Sequence, residues 1–142
     1  MSSLLLHEVL RNASKLKTRE ERIEYLQKNQ TVALKDIFRI NFDEDIVSLL
    51  PAGEPPYQPD DAPEGYQYTT LNKEYTKFKF FFKGPVGLNT VAPKRESMFL
   101  KLLESLHFGE AKILIQAKDK RLKYAGITKK LVSDAFPGLI KV

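Results

Sequence analysis

Apolar residues recur at helical intervals along most of this chain. Leu5, Leu6, Val9, Leu10, Ala13 and Leu16 form one stripe over residues 4–16, with Arg11, Asn12 and Lys15 on the other side. Thr18 followed by Glu21 has capping-box spacing and opens a second helix to about Lys28, burying Ile23, Leu26 and part of Tyr25, with Asn29 as C-cap. Thr31 caps a short third helix carrying Val32, Leu34, Ile37 and Phe38. Residues 41–50 read as a turn and an extended piece. Beyond residue 69, Leu71, Tyr75, Phe78 and Phe82 recur at 4, 3 and 4, with Phe81 widening the stripe. The alternation in Lys77-Phe78-Lys79-Phe80 offers a strand instead, but the longer pattern favours a helix capped by Thr69 or Thr70. Gly84-Pro85 should stop it.

Pro93 suits the first turn of a strong helix that runs to His107, with Phe99, Leu102, Leu103 and Leu106 inward and Met98 at the edge. Gly109 should break it. Residues 110–119 follow as a helix with Ala111, Leu114 and Ile115 inward. Thr128 caps a last one that aligns Ile127, Leu131, Val132, Ala135 and Phe136. Pro137-Gly138 ends that helix, and Leu139 and Ile140 should fold back onto the core. The fold class that follows is all-α, with about seven short helices.

One stretch interrupts the pattern. LPAGEPPYQPDDAPEG, residues 50–65, holds five of the eight prolines. Proline fixes φ and lacks a donor, so neither a helix nor a central strand runs through it. A structureless loop of about 15 residues is uncommon inside a compact domain. An extended strap over residues 51–68, anchored by Tyr57, Tyr66 and Tyr68, is therefore favoured over a mobile linker. It divides a helical segment, residues 1–50, from a richer helical core, residues 69–142, within one compact domain.

Length and composition narrow the rest. The chain has 142 residues, enough to bury a core, and 29% charged residues, which fits a globular protein. It has no cysteine, so disulfides and thiolate metal sites are ruled out. Leu4-Leu5-Leu6 has no basic region before it and is too short for a signal peptide. Ser2 argues against a myristoyl anchor. No apolar run approaches the ~20 residues of a membrane span. An intracellular protein with no membrane contact is expected.

The net charge of +5 is unevenly placed. Residues 1–50 and 51–109 each balance, whereas residues 110–142 carry eight basic residues against Glu110, Asp119 and Asp134. A local excess of this kind attracts polyanions. Lys118, Lys120, Arg121 and Lys123 crowd one turn, Tyr124 can stack on a base, and Lys129 and Lys130 lie opposite Leu131 and Val132. Two short helices joined by a basic turn also suggest helix-turn-helix geometry. The plain alternative is a solvated face.

Catalytic signatures are missing. There is no phosphate-binding glycine loop, no H-E-x-x-H and no G-x-S-x-G. His7 reads as a surface residue and His107 as a helix C-terminus, far apart in the chain, so neither is expected to be catalytic or to bind metal. Asp43-Glu44-Asp45 and Asp60-Asp61 lack the spacing of a calcium loop and read as solvated termini. No cofactor is implied. Pro56-Tyr57-Gln58-Pro59 matches P-x-x-P, which in an exposed segment can dock an aromatic groove.

Several stretches taken together resemble a known family. LPAGEPPYQPDDAPEG, RESMFLKLLESLH and AKDKRLKYAGITKKLVSDAFPGL, in that order, look like short uncharacterised proteins of contractile-tailed (T4-like) phages, including cyanophages. LHEVLRNASKLKTREERIEYL and ALKDIFR extend the likeness over almost the whole chain. Relatives often have proline after the histidine of LLESLH, where Phe108-Gly109 stands here. The resemblance implies a phage origin and the cytoplasm of an infected bacterium. It supplies no activity and no catalytic residues.

The functional expectation is a non-enzymatic accessory protein. It should bind DNA or RNA, or a nucleic-acid-handling complex, through Lys118, Lys120, Arg121, Lys123, Tyr124, Lys129 and Lys130. The alternatives are a virion component, or a module that captures a host or phage protein through Pro55, Pro56, Tyr57, Pro59, Tyr66 and Tyr68.

Overall fold

Helix α7 (Phe108–Lys118) offers almost no polar side to solvent. Glu110, Ala111, Ile113, Leu114, Ile115, Ala117 and Lys118 are all buried. A helix apolar around its circumference belongs inside a core, and the other elements assemble on it. A computed structural model describes residues 4–63 and 66–141. Ser2, and Glu64 and Gly65 of the proline-rich stretch, lie outside the described residues.

Helices α1 (Leu6–Lys15), α3 (Val32–Phe42) and α6 (Ala92–Ser105) pack on α7. Helix α2 (Arg19–Lys28) joins α1 to α8 (Lys129–Ala135). The single-turn α4 (Leu71–Glu74) lies on α3, and α5 (Pro85–Leu88) lies on a 3₁₀ turn, Tyr75–Phe80. Among the described residues the fold is helical without a strand, apart from isolated bridges pairing Ser48 with Phe82 and Asp60 with His107. Leu10, Leu34 and Phe38 share one buried cluster with Leu103, Leu114 and Val132, so the core is continuous across the proline-rich segment.

Local chemistry sets the helix starts. Thr18 Oγ1 accepts from the Glu21 amide at 3.2 Å, and the Glu21 carboxylate accepts from the Thr18 amide at 3.3 Å. Thr31 and Thr128 cap α3 and α8 through the amides of Leu34 and Leu131. Asn29 stands at the C-cap of α2.

The structure corrects three expectations. Residues 71–82 form one α-turn and then tighten to 3₁₀. Tyr75, Phe78 and Phe81 recur every three residues, which is the 3₁₀ period, and Phe78 and Phe81 are buried. Gly109 does not separate helices, because α7 already starts at Phe108. The 3₁₀ turn already ends at Phe80, and Gly84-Pro85, expected as the stop, instead opens α5 with Pro85 in its first turn.

Residues 51–63 form neither a helix nor a strand, and several of their backbone groups are taken up by polar contacts. The Gly53 amide donates to Asp119 Oδ2 at 2.9 Å and the Gln58 amide to Glu104 Oε2 at 3.0 Å. Of the three expected ring anchors only Tyr57 packs on the core. Tyr66 and Tyr68 are 79% and 95% exposed.

Candidate nucleic-acid interface

The basic stretch does not form one surface. Lys118 leaves the candidate set: its side chain is 1% exposed, and Nζ donates to Pro51 O, Gly53 O and Asp119 Oδ1 at 3.0, 2.9 and 2.9 Å. It fastens the proline-rich segment to the end of α7. Lys120 is diverted as well. Its backbone adopts the left-handed conformation at φ 57°, and Nζ donates to Ile40 O and Asp43 O, both at 2.7 Å. A cation on the last carbonyls of α3 is a favourable C-terminal cap. Burial lowers the Lys120 pKa, opposed by the charges of Asp43 and Glu44.

Asp43 is likewise structural rather than solvated. It is buried, with Oδ1 accepting from the Asp45 amide and Oδ2 from the Lys141 amide. The Asp45 amide is the main reason its carboxyl titrates below the ordinary value, and burial opposes that shift. Arg121 lines a depression beside Ser48, Gly53 and Asp119, on the side of the proline-rich segment. Lys129 and Lys130 stand in the first turn of α8. Lys120, Arg121 and Lys123, close in sequence, thus meet different parts of the fold.

Lys123 and Tyr124 do enter a shared site, but with partners from elsewhere. A cleft of about 300 Å³ is lined by His7, Arg11, His107, Phe108, Gly109, Lys112, Gln116, Lys123 and Tyr124. Helix α1 supplies Arg11, α7 supplies Lys112, and the loop supplies Lys123. Among the described residues no carboxylate stands in that lining. Arg11 lies 3.9 Å from Glu8, a surface pair one turn apart that holds it only weakly. Tyr124 packs on the core; burial raises its phenol pKa, and the Arg11 charge works the other way. Ser14 Oγ donates to Ala125 O at 2.7 Å and the Leu122 amide to Asn41 Oδ1 at 2.9 Å, which fixes the loop. At Gly126, φ 78°, a Cβ would stand 2.7 Å from the Arg22 guanidinium.

The floor of the cleft overturns the reading of the histidines. His7 is buried, not on the surface, and its ring stacks on His107 at 4.5 Å with 10° between planes. His107 is the N-cap of α7, its Nδ1 accepting from the Gly109 amide at 2.9 Å. Gly109 is required because a Cβ would come within 2.6 Å of the His7 ring. One residue on, the fully buried Glu110 accepts from the Leu6 amide through Oε2 at 2.9 Å and from the Leu71 amide through Oε1 at 3.0 Å. Leu5 cannot cap α1 with its side chain, and Thr70 makes no side-chain cap on α4. A carboxylate from α7 satisfies both helix starts instead. Burial raises its pKa, the two amides oppose that, and Glu8 adds to it.

His7, Arg11, His107, Phe108, Lys112 and Gln116 escaped the sequence reading. The segment charge sums hid Arg11, whose half of the chain is balanced. The Phe108-Gly109 departure was the one local signal at this turn.

The residues of the alternative protein site are spread along their segment. Pro56 and Pro59 are exposed, while Pro55 lines a cavity of about 400 Å³ with Leu50, Phe99 and Leu100. Burial, with a smaller contribution from Glu54, raises the pKa of Tyr57. Among the described residues no three His, Asp or Glu side chains are placed to hold a metal ion, and no helix is long and apolar enough to cross a membrane.

Comparison with curated proteins finds no match to this chain. Residues 9–124 match a family of unknown function, DUF6433, a span that includes most of the cleft and all of α7. The chain belongs to the DUF6433 family.

Proposed function

We propose that this protein is a non-enzymatic accessory factor of phage origin that binds nucleic acid in the cytoplasm of an infected bacterium. The contact is the cleft of Arg11, Lys112, Lys123, Phe108 and Tyr124. The observation that carries the reading is three cations from three chain segments around a cleft that, among the described residues, no carboxylate lines. Such an arrangement focuses positive potential on a concave surface. Ionised phosphates gain from it, and two aromatic side chains stand beside them. Arg121, Lys129 and Lys130 add to the long-range field that steers a polyanion, without lining the cleft.

Fluorescence anisotropy with labelled 20-nucleotide DNA and RNA across a salt series tests this. Affinity should fall with salt at a log–log slope of about −2 to −3, the value for about three phosphate contacts. Lys112→Glu with Lys123→Glu should abolish binding at moderate salt. Lack of binding at low salt would overturn the reading, as would binding indifferent to that double variant.

A second reading rests on Tyr68, 95% exposed beside Tyr66 at 79%. Large rings left in water are the raw material of a protein contact, and Pro56 and Pro59 earlier in the segment are exposed too. Tyr66→Ala with Tyr68→Ala would then remove a cross-linked partner from infected-cell extract without changing oligonucleotide affinity. Retention of the partner by that variant rejects the second reading.

A further inference from the structure

We infer that the cleft takes single-stranded nucleic acid and holds one base against Phe108. This rests on the nucleic-acid reading above and adds the strand state and the recognition element. Its basis is a run of three rings. His7 stacks on His107, and His107 stacks on Phe108 with centroids 4.5 Å apart and planes 28° apart. His7 and His107 are 7% and 4% exposed, whereas Phe108 is 48% exposed. The run therefore begins inside the core and ends at the cleft. A phenyl ring half in water leaves apolar area that a stacked base would cover.

The ring is also held still. His107 is fixed as the N-cap of α7, and Gly109 lets His7 close behind it. A platform backed by a buried imidazole loses little freedom when something stacks on it. Every nucleobase has a π-face to offer, and base–aromatic stacking within a basic groove is how single strands are held. A duplex keeps its bases in the stack and can reach Phe108 only by extruding one. A cleft of about 300 Å³ is of the size of one nucleotide unit. Arg11, Lys112 and Lys123 then lie where the phosphates flanking that unit pass.

The experiment uses the full chain and three labelled 12-mers of equal charge per strand: oligo-dT, an abasic strand and a blunt duplex. Oligo-dT should bind most tightly of the three. Phe108→Ala should weaken oligo-dT about tenfold, the scale of one stacked base, and leave the abasic strand unchanged. Phe108→Leu, which keeps apolar bulk and removes the ring, should behave as Phe108→Ala does, and Phe108→Trp should retain oligo-dT affinity. Equal affinity for oligo-dT and abasic strands overturns the inference, even where both lose binding in Lys112→Glu with Lys123→Glu. In that outcome the nucleic-acid reading survives and the base-stacking one does not. A duplex preferred over oligo-dT also overturns it. If none of the three binds, both readings fall.

Discussion

The two ends of α7 use the same residue type for opposite purposes. At the C-terminal end, Lys118 and Lys120 deliver their ammonium groups to four backbone carbonyls, those of Pro51, Gly53, Ile40 and Asp43. These charges tie the proline-rich segment and the end of α3 to the centre of the fold. At the N-terminal end, Lys112 is exposed and joins Arg11 and Lys123 around a cleft that no carboxylate lines among the described residues. That end is held by Glu110 and by the stacked histidines, which leaves its cations available. A cation counts toward a ligand by the hydrogen bonds it has left to give. Counting lysines per segment conflates the two ends.

The largest expected effect tests what holds the N-terminal end. Glu110→Ala leaves the amides of Leu6 and Leu71 buried without an acceptor and opens a cavity, a loss of roughly 3–5 kcal/mol by urea denaturation. Glu110→Gln keeps the volume but turns an amide nitrogen toward one backbone N–H, and should cost roughly half as much. Its pH dependence has a definite sign. Burial raises the Glu110 pKa from 4.5, so the folded protein holds this proton more tightly than the unfolded chain. That stabilising linkage is complete below 4.5 and is lost as pH rises through the folded value. The stability gap between the native protein and Glu110→Gln should therefore be widest below pH 4.5 and narrow above it. Asp43 and Glu74, whose carboxyls titrate low, give up stability as pH falls, but equally in both proteins. A gap that widens with rising pH would mean the carboxylate is better solvated than this geometry allows.

The sequence was most legible where one face of an element is apolar and its start has a capping hydroxyl. Thr18, Thr31 and Thr128 sit at the helix starts assigned to them, and the stripes of α1, α3 and α6 face the core. It was least legible where a rule depends on a partner distant in the chain. Helix α7 shows a weak stripe because it is buried on nearly every side, so Ile113 and Ala117 went unread as core. Glu110 looks like surface charge until the starts of α1 and α4 are brought to it. The 3₁₀ turn depends on Tyr75, Phe78 and Phe81, whose spacing of three lies inside a broader pattern that also fits an α-helix. The cleft draws on positions 7, 11, 107, 112 and 123, and no window along the chain contains them together.

The sharpest form of the comparison substitutes lysine by alanine at both ends of the same helix. Lys118→Ala removes three hydrogen bonds from part-buried acceptors and leaves Asp119 with only the Gly53 amide, so stability should fall by roughly 2–4 kcal/mol. Lys112→Ala and Lys123→Ala remove charges that the fold does not use, and each should stay within about 0.5 kcal/mol of the native protein. The sign of that small change is informative. Arg11, Lys112 and Lys123 line one cleft together, with no carboxylate in the lining among the described residues, so deleting one relieves like-charge repulsion. At low ionic strength the truncation should be neutral or stabilising, on the order of 0.3 kcal/mol, and salt near 1 M should erase the gain. Lys118→Ala should keep most of its loss at the same salt, because solvent does not reach that ammonium. A loss at Lys112 or Lys123 as large as that at Lys118 would mean that their charges, too, are engaged within the fold. The two ends of α7 would then be alike, and the cleft would have no free cation to offer a phosphate.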